Sequence, residues 1–89
     1  MTLYQFKLLE KEGQIDLVNT YAVPIAERVE GNYTYKLLQL DTFYIEEEWH
    51  TVFNERRSFI AFISEERLQP YLQSIDLSSL HLPITKSNK

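Results

Sequence analysis

The stretch ERVEGNYTYKLLQLDTFYIEEEWH, residues 27–50, decides how this chain is read. Two short breaks, Gly31-Asn32 and Asp41-Thr42, divide it into runs rich in Tyr, Thr, Leu and Ile, the residue types that suit a pleated surface. Taking each break as a two-residue hairpin turn fixes a strand register. Ile25, Leu38 and Ile45 then align across three strands. Glu27, Lys36 and Glu47 also align, setting a cation between two carboxylates, and so do Arg28, Tyr35 and Glu48. Side chains alternate along a strand. Phe43, Ile45, Glu47 and Trp49 therefore point one way, and Tyr44, Glu46, Glu48 and His50 the other.

Working outward, Ala22 to Ile63 reads as a four-stranded antiparallel meander, with FNER at 53–56 as the third break. Val23, Ile25, Leu38, Leu40, Ile60 and Phe62 join Phe43 and Ile45 on the expected core face, with Glu47 held by Lys36. Upstream, Ile15, Leu17, Val18, Tyr21 and Ala22 fall on one side of a helical wheel, which favours a helix over 14–22. The competing reading of residues 10–22 is a hairpin turning at EKEG, because Gly13 weakens a helix and no residue suited to N-capping precedes it. LYQFKLL at 3–9 alternates and is read as extended, although Leu3, Phe6 and Leu9 also fit a helical stripe. Downstream, Ser64 can cap a helix over 65–75, where Glu65 and Glu66 suit its positive end and Pro70 bends it. The expected architecture is α+β: a four-stranded antiparallel meander sheet with two helices packed on one face, the face of Ile25, Leu38, Ile45 and Trp49. The other face is left open, as antiparallel sheets permit. Residues 1–80 form the single domain of this reading, and 81–89 a flexible tail.

At 89 residues the chain suffices for one core. It has no Cys, which excludes disulfides, thiolate metal sites and Cys nucleophiles. The formal net charge of -4, with Lys and Arg scattered apart from Arg56-Arg57, argues against nucleic acid. MTLYQFKLLEKE lacks the basic segment and apolar run of a signal peptide, and no apolar run reaches the roughly 20 residues of a membrane span. The expectation is a cytoplasmic protein without membrane association.

The sharpest chemical candidate is Glu46, Glu48 and His50 on one strand face, types able to bind a divalent metal or to pair as acid and base. Same-face neighbours sit roughly 6.5 to 7 Å apart, so one shared ion would need a ligand from another strand. The only other histidine, His81, falls in the tail. Arg28 beside Tyr35 and Glu48 could recognise an anion, although the commoner reading of such a set is a cross-strand ion pair holding the outer face. Tyr33, Tyr35 and Tyr44 sit on the face left open, where tyrosine serves contact surfaces well. No G-x-S-x-G context surrounds any serine. No catalytic residue, metal site or cofactor is assigned.

The segments TLYQF, YKLLQLDTFYIEE and LQPYLQSIDL, in this order, resemble a group of short bacterial proteins to which no activity is assigned. The resemblance covers Thr2 to Leu80. It implies a small bacterial cytoplasmic α+β domain and assigns no site residue. The function expected is a non-enzymatic interaction module, for self-association as a homodimer or for a protein partner. Its contact surface would be the open face around Arg28, Tyr33, Tyr35, Tyr44, Glu46, Glu48 and His50. The alternative is a small-ligand or metal-binding protein or enzyme using Glu46, Glu48 and His50.

Overall fold

A computed structural model describes residues 1–72. The expected tail, His81 and the last turn of the expected 65–75 helix lie outside the described residues. The chain opens with α1 (Leu3–Leu8) and α2 (Lys11–Tyr21), runs through β1 (Val23–Glu30), β2 (Tyr33–Leu40), β3 (Phe43–His50) and β4 (Glu55–Phe62), and continues into α3 (Glu65–Leu68) and a 3-10 turn (Gln69–Tyr71). The four strands form an antiparallel sheet in sequence order, β1-β2-β3-β4.

The stretch read as extended at the N-terminus is instead helical, and its start is capped reciprocally. The Gln5 backbone N–H donates to Thr2 Oγ1 at 3.1 Å, and the Thr2 N–H donates to Gln5 Oε1 at 2.9 Å. With the helix in place, Phe6 turns inward and is fully buried. The corner between α1 and α2 is held by Gln14, whose Nε2 donates to the carbonyl of Leu9 (3.4 Å) and to that of Phe6 (3.1 Å), which also accepts the Leu9 N–H at 3.1 Å. Gly13 lies inside α2, so the hairpin alternative at EKEG does not form.

Both two-residue turns are present, with Gly31 and Asp41 in the left-handed region at φ 60° and 54°. The β2–β3 register is the expected one, pairing Leu38 with Ile45, Lys36 with Glu47 and Tyr35 with Glu48. Glu27 and Arg28 face Lys36 and Tyr35 across β1–β2. Nearer the start of β1 the register shifts between Pro24 and Ala26, so Pro24, not Ile25, faces Leu38. Ile25 is thereby turned to the opposite face, and Val23 is left 61% exposed. In β4 the expected phase is off by one residue. Phe59 faces Glu47 and Ala61 faces Ile45, while Ile60 and Phe62 lie on the other side. A second irregularity opposite Glu48 and Trp49 absorbs the offset.

Two apolar clusters result, one on each side of the sheet. α1 and α2 cover the inner face, where Phe6 and Val18 meet Leu38, Leu40, Phe43, Ile45 and Phe59. α3 and the 3-10 turn cover part of the outer face, where Leu68 and Tyr71 meet Leu37, Tyr44 and Phe62. The C-terminal helical segment thus packs on the face opposite to the one expected. The polar residue expected on the inner face is there, with a different partner. Glu47 accepts from Arg56 Nη1 and from Trp49 Nε1, each at 2.8 Å, and Arg56 also donates to Asn19 of α2 at 3.0 Å. Lys36 instead places its ammonium 4.1 Å over the Trp49 ring.

Candidate functional site

Two regions of the outer face and its border carry most of the unusual chemistry. The first is centred on Glu46, mid-strand in β3 and buried. Its Oε2 accepts from the Tyr71 hydroxyl at 2.6 Å and from Arg28 Nη2 at 3.4 Å, and Arg67 Nη1 stands 3.7 Å from its Oε1. Arg28 is shared with Glu30 at 3.0 Å, and its guanidinium carbon lies 4.3 Å from the Tyr35 ring centroid and 5.4 Å from that of Tyr71. A buried carboxylate is tolerated where several donors replace water, and this arrangement does so. Glu48, Ser58 and Tyr35 complete a cleft of about 320 Å³ beside this cluster.

The phenols record the same environment. Burial, then the hydrogen bond and charge of Glu46, push the Tyr71 hydroxyl well above its ordinary range. Burial and the Glu48 and Glu30 carboxylates raise Tyr35, and burial alone raises Tyr44. The Tyr44 hydroxyl and Arg28 Nε are buried without a hydrogen-bond partner among the described residues.

The structure separates the sequence-predicted site residues into three places. Arg28, Tyr35, Glu46 and Glu48 do come together. Tyr44 is fully buried beneath Phe62, with ring centroids 5.7 Å apart, so it is not part of an open face. Tyr33 and His50 lie at the far end of the sheet, edge to face at 5.5 Å, with Phe53 4.7 Å from the imidazole and its N–H donating to His50 Nδ1 at 3.4 Å. Glu46, Glu48 and His50 therefore do not converge, and no three His, Cys, Asp or Glu side chains among the described residues come together as a metal site would require. Sequence reasoning missed Tyr71 and Arg67. The helical spacing of Leu68 and Tyr71 marks them as buried, but nothing local says which sheet face they meet.

The second region is the β4 edge. Among the described residues β4 pairs with β3 alone. Its second half lies in SFIAFIS, residues 58–64, seven positions without a charge. Phe59 and Phe62 face into the two clusters, whereas Ile60 and Ile63 are 38% and 55% exposed. A groove of about 520 Å³ follows this edge, bordered by Leu3 and Lys7 of α1, Gln14 of α2 and Arg67 of α3. The other edge is different in kind. β1 carries Pro24, a register shift beside it, and the charges of Glu27, Arg28 and Glu30, and the 3-10 turn packs against it. Those are the devices that keep a sheet edge from recruiting another strand.

No known protein family, curated protein or solved structure matches the chain. No helix among the described residues is long and apolar enough to cross a membrane.

Proposed function

We propose that this protein is a non-enzymatic interaction module that binds by strand addition at β4. One observation carries the reading: the sheet has one blunted edge and one edge strand whose last five residues, 58–62, carry no charge, unpaired among the described residues and flanked by a groove. Main-chain groups along such an edge supply affinity to an extended partner, and side-chain pockets supply selectivity. The burial of Tyr44 and Glu46 moves the contact surface from the outer face to this border. The bacterial cytoplasmic setting implied by the resemblance belongs to the same proposal.

The test uses the full chain, diluted until monomeric, titrated with a peptide of residues 55–64. Amide shifts confined to β4 and to the neighbouring Leu3 and Lys7 are expected, and Ile60→Lys should abolish them by placing a charge at the edge. Shifts at the Glu46 cleft instead of β4, or none at saturating peptide, would overturn the proposal.

A second reading, a small polar ligand in the cleft of Arg28, Tyr35, Glu46, Glu48 and Arg67, has the cavity in its favour. It ranks behind because the two guanidiniums are balanced by the two carboxylates, and Glu46 already accepts from Tyr71 and Arg28. His50 takes no part in it.

A further inference from the structure

We propose that the strand added at β4 is β4 of a second copy, running antiparallel across a two-fold axis beside Ala61. The inference rests on the strand-addition reading above and names its partner. The charge order along the edge selects the direction. Glu55, Arg56 and Arg57 open β4 with a net charge of +1, and Glu65, Glu66 and Arg67 follow its end with a net charge of -1, with only uncharged residues between. Antiparallel association brings the basic end of each copy to the acidic end of the other, whereas parallel association would set cations on cations and carboxylates on carboxylates.

Symmetry then limits the register. In an antiparallel pair of identical strands, a two-fold contact requires one residue to face itself. With Ala61 at that position the smallest apolar side chain of the run sits on the axis. Ile60 then faces Phe62 of the other copy, Phe59 faces Ile63, Ser58 faces Ser64, and Arg57 comes to Glu65. The exposed Ile60 and Ile63 are covered in this register, each beside an aromatic of the other copy. Ile63 is carried to the side of the sheet where Phe59, Leu3 and the groove lie. The assembly stops at two copies. The blunted β1 edge offers no second site, so the eight-stranded sheet closes and does not propagate.

The absence of cysteine permits a direct test. Ala61→Cys places two thiols on directly opposed positions, within the Cα separation that a disulfide spans, and mild oxidation of the full chain should give a covalent dimer. Ser58→Cys, whose two copies would stand about 20 Å apart, should not. In sedimentation the parent chain should pass from one to two chains with concentration and go no higher. Arg57→Glu and Glu65→Arg should each weaken the dimer by about tenfold, and the double exchange should restore it, an outcome that loss of folding does not mimic.

Three results would overturn the inference. Equal crosslinking of both cysteine variants would exclude the register. A chain that stays monomeric while the 55–64 peptide binds would leave strand addition standing with a different partner. β4 amides protected from exchange equally at all concentrations in a monomer would mean that the chain's own residues 73–89 occupy the edge.

Discussion

Tyr71 is the residue on which the outer face turns. Its hydroxyl donates to a buried carboxylate, and its ring shares Arg28 with Tyr35. Tyr71→Phe removes the donor and leaves Glu46 with its two guanidinium neighbours, so a loss of about 2 kcal/mol is expected in urea unfolding. Tyr71, Tyr44 and Tyr35 all bind their protons more tightly when folded than their ordinary value near 10. The unfolded chain therefore ionises first as pH rises. The contribution of these phenols is fully present below about pH 9 and is lost progressively above about pH 10. Tyr71→Phe should make the alkaline fall shallower, and stability curves of the two proteins at pH 8 and pH 11 measure this. Of the side chains involved, Arg28, Tyr35, Glu46 and Glu48 are legible in the sequence because two hairpin turns of two residues determine who faces whom. Arg67 and Tyr71 are not, since they arrive from a segment that crosses the sheet on a side no local pattern specifies.

At the level of elements, the two glycines make opposite predictions. Gly13 occupies the interior of α2, where an added Cβ would meet only Leu9 Cβ at an ordinary 3.8 Å. Gly13→Ala should therefore raise stability by about 0.5 to 1 kcal/mol, through the lower backbone entropy of the unfolded chain. Gly31 stands in open space, with nothing within 4 Å of a Cβ, yet holds φ at 60°. Gly31→Ala should lower stability by about 1 to 2 kcal/mol purely through the left-handed backbone, and thermal melts of both variants test the pair. The strands and α2 follow from periodicity, but α1 shows its limit. Over seven residues, periods of 2 and 3.6 both fit, and the deciding signal is Thr2 three positions before Gln5, a reciprocal cap rather than an apolar pattern. The offset in β4 has a similar origin. The two-residue turns carry the register from strand to strand, whereas the four residues of the last turn and the irregularity beside Trp49 do not.

On the scale of the whole molecule, the α+β class and the meander were readable because each strand neighbours the next one in sequence, so only local turns had to be identified. The open face was misplaced because a short C-terminal segment, α3 with the 3-10 turn, is enough to cover the half of the sheet around Leu37, Tyr44 and Phe62. The face expected to be open is therefore divided between a covered and an uncovered half, and the contact surface proposed at β4 follows from topology more than from any motif.

The position of Phe6 has a consequence for the order in which the chain takes shape. Its ring lies 5.3 Å from Phe43 and 6.5 Å from Phe59, residues 37 and 53 positions further along the chain. During synthesis α1 leaves the ribosome before β3 and β4, so its seat is complete only once β4 has followed, and the sheet can zip hairpin by hairpin while α1 waits. A helix made before the sheet thus docks after it. Phe6→Leu should accordingly speed unfolding and leave the folding rate nearly unchanged in stopped-flow measurements, the pattern of contacts formed after the transition state. A slowed folding limb would instead put α1 in the nucleus.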